Sequence, residues 1–482
     1  MIEELKRENG GGEVKAPPFF KARVDRFLRQ IDCFLRHRQR GFFKRERKRM
    51  KIKGLNREIL RIALPAIATN VTTPLLGLVD IAIVGHFGSS NYLGAIAVGS
   101  SVFNMIYWLL NFLRMGSSGL TAQAVGREDI KERDIIFWRA FLTGVLLGVI
   151  VLCLSPLLSA VLIPFMEADA TTSGLAERYF IYAVFGAPAY IGLYAITGWL
   201  IGCQNSSATL KIALITNIAN IVLSLTLVGV FKLRMEGVAA GTALSQWIGL
   251  ASGLWIIRRR YRPRFPKRVE ILNLRELWAF GKINLDIFFR TACLVAVTIW
   301  FTRAGAKQGP EILAANAILM QLFMLFSFFM DGFAFSGEAL AGKFYGGKRS
   351  RELSRLETNL LMWGVGMSIA GLLIYFFFGE MILALLTDEL SVRETAKDYM
   401  MWAVTIPMFG FMAFIYDGIF VGLTLTRKML LSMFCAMGVF FILYFLLVGN
   451  MGNHALWLAF SCYLLTRGVM QWILLRRESK FL

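Results

Sequence analysis

In "PLLGLVDIAIVGH" (Pro74–His86) one carboxylate, Asp80, interrupts a run that is otherwise apolar up to its terminal histidine. No lysine or arginine stands three or four positions away, where a helix would bring it alongside. The flanking chain says what this run is. From about residue 57 to residue 475, apolar runs of about 20 residues, enough to cross a bilayer as a helix, recur between short polar or Gly/Pro-marked connections. They begin near residues 57, 93, 135, 176, 209 and 237, then near 275, 311, 357, 394, 428 and 453. The runs are continuous rather than alternating, which selects helices over barrel strands. The expected fold is an all-α integral membrane protein with twelve transmembrane helices.

Composition agrees. Hydrophobic residues make up 56% of the 482 positions and charged residues only 18%, with a mean hydropathy of +0.57, which excludes a soluble protein. The net charge of +21 is unevenly placed. The connections after spans 2, 4, 6, 8 and 10 carry Arg127, Lys131 and Arg133; Lys211; "RRRYRPRFPKR" (Arg258–Arg268); Lys343, Lys348, Arg349, Arg351 and Arg355; and Arg427 with Lys428. The other connections hold at most two basic residues each. The positive-inside rule then puts both termini and the even-numbered connections in the cytoplasm. This asymmetry accounts for most of the positive charge, so a nucleic-acid partner is not expected. The six cysteines (33, 153, 203, 293, 435, 462) have no C-x-x-C spacing and mostly lie in apolar helices, where they read as small packing residues. The chain has no P-loop, and its three histidines (37, 86, 454) are too scattered for a metal site. An enzyme, a resident metal and a cofactor are therefore not expected, and the energy for any transport must come from an ion gradient.

Sliding the chain on itself by 220 residues aligns its halves without a gap. "LGAIA" (Leu93–Ala97) falls on "LAANA" (Leu313–Ala317), Leu120 on Leu340, Gly126 on Gly346, Tyr179 on Tyr399, Gly198 and Gly202 on Gly418 and Gly422, and Val228-Gly229 on Val448-Gly449. Six spans per repeat bring both halves into the membrane in the same orientation, so the repeats should form two six-helix lobes related by a pseudo-twofold axis along the membrane normal. The expected division is a basic cytoplasmic extension over 1–54, a first lobe over 55–257, a cytoplasmic linker over 258–274, and a second lobe with a short basic tail over 275–482. The extension has seventeen Lys or Arg against seven acids, with apolar residues from Phe20 to Leu35 at helical spacing. It reads equally as an amphipathic helix on the membrane surface or as an unstructured tail. It carries no recognisable cleavable signal peptide. A parallel duplication around a central cleft favours a transporter over an enzyme or receptor.

Ionisable side chains within spans cost about 2.5–3.5 kcal/mol each at a helix centre, so each needs a partner, a wet cavity or a task. They are Asp80 and Arg114 in the first lobe, and Asp286, Arg290, Asp331, Glu338, Asp417 and Arg467 in the second. Asp286 and Arg290, four residues apart, can form a structural ion pair along one helix face. Asp331 and Glu338, seven apart, share a face two turns separated and suit a water-filled cavity. Arg467 and Asp417 can pair with one another or with neighbours. Asp80 falls on Trp300 in the repeat, so its task belongs to one lobe only. Withdrawing a carboxylate from water favours its neutral form, which suits such a group to carry a proton; a pairing with Arg114 or hydrogen bonds from polar neighbours would also satisfy it. Pro65, fifteen residues earlier, either lets span 1 bend or marks a static kink. Asn217 and Asn220 in span 5 can serve a proton relay or bridge helices. Met320, Phe323 and Met324 can line a tolerant cavity or face lipid.

Together "PLLGLVDIAIVGH", "YLGAIAVG", "FLRMGSSGLTAQAVG", "NLDIFFR", "DGFAF" with Glu338, and "YDGIFVG" resemble the multidrug and toxic compound extrusion (MATE) family, in its DinF-like branch. The resemblance covers residues 55–475. It implies a monomeric antiporter of the bacterial inner membrane that exports organic, often cationic or amphipathic, compounds in exchange for protons or sodium. It also implies that Asp80 is the proton-coupling residue and Pro65 the bend. The family's span 5 asparagine maps to Asn220, which with Pro65, Arg114 and Asn217 is the expected first-lobe polar network, and Asp331, Glu338 and Asp417 match acidic positions expected to be substrate or ion contacts of the second lobe. Related members place another aspartate four residues after the asparagine at 220, where this chain has Ser224. A flippase for lipid-linked precursors is the competing expectation, and the few intramembrane arginines argue against it.

Overall fold

The computed structural model describes residues 54–72, 90–166 and 169–478. The stretch 73–89, which contains Asp80, and residues 1–53 of the basic extension lie outside the described residues. Two compact units divide between Glu58 and Ile59. Of the first, only 54–58, the opening turn of a helix, is described.

The described spans are all helical. They are α1 (54–72), α2 (Ser90–Leu110 and Phe112–Gly126, joined at Asn111), α3 (Ile130–Cys153), α4 (Ala170–Gly202, with a 3-10 turn at Val184–Gly186), α5 (Ser206–Gly229) and α6 (Arg234–Arg260). The second series is α7 (Leu274–Ala306), α8 (Pro310–Gly346), α9 (Ser350–Leu386), α10 (Leu390–Gly422), α11 (Thr426–Met451) and α12 (Asn453–Arg477). All twelve starting points read from the sequence fall within these helices. Ten helices among the described residues are long and apolar enough to cross a membrane. Of the other two, α6 has the length, at 27 residues, and α1 is described only to residue 72. Side-chain caps set several starts: Asp129 accepts from the Glu132 amide at 2.9 Å to open α3, and Asn273 accepts from the Arg275 amide at 3.1 Å to open α7.

Each lobe has its own aromatic core. In the first, Phe137, Trp199 and Ile212 pack α3, α4 and α5 together, and Phe103 stacks on Phe180 at 4.6 Å. In the second, Phe301 packs edge-on to Trp457 at 4.9 Å, and Phe323 on Phe460 at 5.2 Å. Phe323 is therefore a packing residue, while Phe376 and Phe377 on α9 stay exposed where lipid would cover them.

The duplication is written into the backbone more fully than into the side chains. Left-handed residues occur at Glu128, Gln204 and Lys232 in the first half, and at Lys348, Thr424 and Gly452, each 220 positions later, in the second. Helix contacts repeat likewise. The Arg114 and Ser118 carbonyls of α2 press on Gly198 and Gly202 of α4, and the Ala334 and Glu338 carbonyls of α8 press on Gly418 and Gly422 of α10. None of these glycines leaves room for a Cβ.

The lobes meet through equivalent surfaces. Gly126 of α2 lies on the Lys343 carbonyl of α8, and Gly346 of α8 lies on the Gln123 carbonyl of α2. That reciprocity is what a twofold axis between α2 and α8 requires. α1 crosses α8, with Ser336 donating to the Ile59 carbonyl at 2.9 Å and Ala63 and Ile67 against Gly332. α7 crosses α2 in the matching place, with Asn284 against Gly116 and Phe112 edge-on to Phe288 at 6.0 Å. These contacts involve residues 112–126 of α2 or 332–346 of α8, and Asn70 of α1 also donates to the Phe328 carbonyl of α8 at 3.3 Å, so the seam runs from the end where α2 and α8 terminate to the middle of α8. Between α6 and α7 a short helix, Arg268–Ile271, packs on α3.

Candidate functional site

In the first lobe the polar residues gather along α5, which meets α1 through Asn217 and α6 through Asn220. Pro65 sits inside α1, so the helix lacks the amide that would bond the Arg61 carbonyl. Thr69 returns its hydroxyl to the Pro65 carbonyl at 2.9 Å. Asn217 donates to the Thr72 carbonyl at 3.4 Å, tying α5 to the last described turn of α1. Asn220 is fully buried and donates to Thr242 of α6 at 3.0 Å, but its Oδ1 has no partner among the described residues. One turn on, the buried Ser224 hydroxyl is also unpartnered. Residues 217, 220 and 224 occupy one face of α5, on which Asn217 reaches α1 while Asn220 and Ser224, with unused hydrogen-bonding capacity, lie against Thr242 and Gly241 of α6. Asp80, the residue expected to use it, lies outside the described residues.

Arg114 joins the lobes. Its guanidinium meets the Glu338 carboxylate of α8 at 3.5 Å, donates to Asn111 at 3.1 Å and lies 4.3 Å from the Phe335 ring centroid. The second Glu338 oxygen has no hydrogen bond of normal geometry, although the buried and equally unpartnered Ser118 hydroxyl is close enough to influence it. Ser118 and Glu338 are repeat equivalents facing one another, so this pair stands at the pseudo-twofold axis.

The second lobe resolves the expected ion pair differently. Arg290 reaches across from α7 to Asp417 of α10, not back along its own helix to Asp286. The expected Asp286–Arg290 pair is therefore corrected, for reasons of burial. Arg290 is only 8% exposed and needs a buried counter-charge, whereas Asp286 accepts from Thr426, in the first turn of α11, at 2.8 Å. Arg467 of α12 shares the same Asp417 oxygen, and Gln471 donates to the other at 2.6 Å. Three donors thus saturate Asp417. Arg290 Nε, Arg467 Nε and Gln471 Oε1 remain unpartnered within the cluster. Asp331 contrasts with it: half-buried on α8, it has no hydrogen bond or ion pair to another described residue, yet it feels the charges of Arg114, Arg290 and Arg467.

Two contributors escape a reading of the sequence. Gln471 lies four residues after Arg467 on one helix face, a spacing that could have flagged it. Glu357, only 3% exposed in α9, accepts from the hydroxyl of Tyr416, the residue preceding Asp417, at 2.9 Å and from Arg476 at 3.0 Å, and is engaged separately from the Asp417 cluster. No group of His, Cys, Asp and Glu among the described residues is arranged to hold a metal.

Comparison with known proteins gives consistent matches. The MatE family model matches residues 65–226 and again residues 286–446, once in each lobe. The chain is 32% identical over 434 residues to DNA damage-inducible protein F of Escherichia coli (strain K12), covering 88% of this chain and 92% of that one. It is 22% identical over 366 residues to the probable multidrug resistance protein NorM of Thermotoga maritima, covering 74% and 78%. A crystal structure of MATE in the bent conformation superposes with a TM-score of 0.79 at 18% identity, over 89% of this chain and 96% of that one, a likeness of fold.

Proposed function

The chain belongs to the MATE family of multi-pass membrane transporters, and from this premise we propose that it is a secondary antiporter exporting organic cations and amphipathic compounds in exchange for protons. The observation that carries the proposal is the one-ended seam between the lobes. Contacts at the ends of α2 and α8, with the Arg114–Glu338 pair beside them, hold one mouth of the cleft shut, as alternating access requires of one of its two states. With the Arg- and Lys-rich connections in the cytoplasm, the shut mouth is the inner one and the cleft faces outward.

In this scheme Asp80 is the proton-coupling group. Protonation from the outer side removes its charge and changes its hydrogen bonds, α1 bends at Pro65, and the first-lobe cavity shrinks and releases substrate. Loss of the proton to the cytoplasm resets the helix. Asn217 on the Thr72 carbonyl and the spare acceptor of Asn220 support such a rearrangement, because α5 offers α1 alternative partners. Asp331 receives the positive charge of the substrate, since its carboxylate has no hydrogen bond or ion pair among the described residues, whereas Asp417 is saturated and Glu338 is held by Arg114.

The test is dye efflux from proteoliposomes driven by an imposed proton gradient. Asp80→Asn is expected to abolish gradient-driven efflux while leaving substrate binding measurable; undiminished efflux would reject Asp80. Replacing the proton gradient with a sodium gradient is expected to give no export by the wild-type protein.

A further inference from the structure

The segment between the lobes is built as a docked platform rather than a slack tether. Arg139 of α3 donates to the Glu270 carbonyl at 3.1 Å and the Ile271 carbonyl at 3.4 Å, Trp138 donates to the Arg264 carbonyl at 3.1 Å, and the Arg264 amide donates to Asp134 at 3.0 Å. Lys131 pairs with Glu270 at 2.6 Å, and its ammonium holds that carboxyl below the ordinary range. Pro266 and Ile271 are buried against the lobe.

What the platform turns outward is unusual for a surface connection. Phe265 is 65% exposed, Val269 82%, Leu272 64%, Leu274 83% and Trp278 77%. Leu274 and Trp278 begin a stripe that continues through Leu285 and Phe289, all exposed, within an arc of roughly 60° on α7. The stripe that lipid would cover along α7 therefore runs on past the helix start into the linker. Beside it stand Arg258, Arg259, Arg260, Arg262, Arg264, Lys267 and Arg275, all exposed. The two acids of the stretch are matched from α3, Glu270 by Lys131 and Glu276 by Arg139 at 4.0 Å. The outward charge is thus almost wholly positive.

We propose that the segment Arg258–Trp278 is a membrane-surface anchor for anionic phospholipid, its apolar side chains entering the interface of the adjacent leaflet and its arginines holding the headgroups. Apolar insertion and basic charge each bind a bilayer weakly alone and strongly together, and tryptophan favours this depth. The anchor fixes the first-lobe side of the only covalent connection between the lobes, so the leaflet becomes the frame against which the second lobe moves.

The test uses the full-length protein in micelles titrated with brominated phosphatidylglycerol or brominated phosphatidylcholine, reading Trp278 emission as the difference between the wild type and Trp278→Phe. Brominated phosphatidylglycerol is expected to quench at a concentration about tenfold lower than brominated phosphatidylcholine, and added salt should erase the difference. Replacing Arg258, Arg259, Arg260, Arg262 and Arg264 by Gln should remove the preference, while replacing Lys348, Arg349 and Arg351 by Gln should leave it. Equal quenching by the two lipids, a preference indifferent to salt, or an equal loss in the second variant would overturn the proposal. None of these readings depends on transport.

Discussion

At the scale of single residues, the second lobe separates two carboxylates that look alike in the sequence. Asp417 is locked among Arg290, Arg467 and Gln471, so neutralising it leaves two buried guanidinium groups without a counter-charge. Asp417→Asn is expected to destabilise the protein by about 3–5 kcal/mol, seen as a lowered melting temperature in detergent. Asp331→Asn should leave the melting temperature unchanged and weaken binding of cationic dyes, with neutral dyes unaffected. Equal thermal effects of the two substitutions would refute the division of roles. The sequence singled out Asp331, Asp417, Arg290 and Arg467 but missed Gln471 and paired Arg290 wrongly. A spacing of four reports which side chains can meet on one helix; it carries no information about which of them is buried, and burial decides the partner.

Among elements, the contact between α2 and α8 rests on glycines rather than on interlocking side chains. Gly346→Ala should push the ends of α2 and α8 apart, since its Cβ would collide with the Gln123 carbonyl. Spin labels at Glu128→Cys and Lys348→Cys in a cysteine-free background, read as a distance distribution, should shift to longer separations in the variant; an unchanged distribution would count against the seam as described. The twelve spans and the offset of 220 were legible because apolar length and recurring small residues survive in the sequence. The three recurring left-handed turns were not. Glu128 and Lys348, Gln204 and Thr424, Lys232 and Gly452 share a positive φ and no side-chain chemistry, and only the Gly favours it intrinsically. The Asp417–Arg467 pair was among the pairings the sequence offered, but the convergence of Arg290 and Gln471 on the same carboxylate was hidden, because these partners are 127 and 54 residues away in the chain.

For the whole molecule, two lobes of like orientation, joined by one docked segment and touching at one end, make a body with few places at which it can yield. The seam has a further consequence, because the atoms pressed together across it are largely backbone carbonyls and glycine Cα atoms. When Gly126 leaves the Lys343 carbonyl and Gly346 leaves the Gln123 carbonyl, no side chain swings in to take their place. Each oxygen already accepts a helical amide, Lys343 from Gly347 and Gln123 from Arg127 at 3.0 Å, so parting the helices exposes these carbonyls without orphaning them; solvent must still fill the surface vacated between the helices, and the equilibrium of opening depends on the activity of water. Turnover should therefore fall as a neutral, impermeant osmolyte is raised equally on both sides of the vesicle membrane, while substrate affinity from the outer face is preserved. A turnover indifferent to osmolyte would mean that the parted surfaces take up no additional water. If the dependence holds, the dryness of its surroundings is a control on this transporter, acting with no ligand and no titrating group.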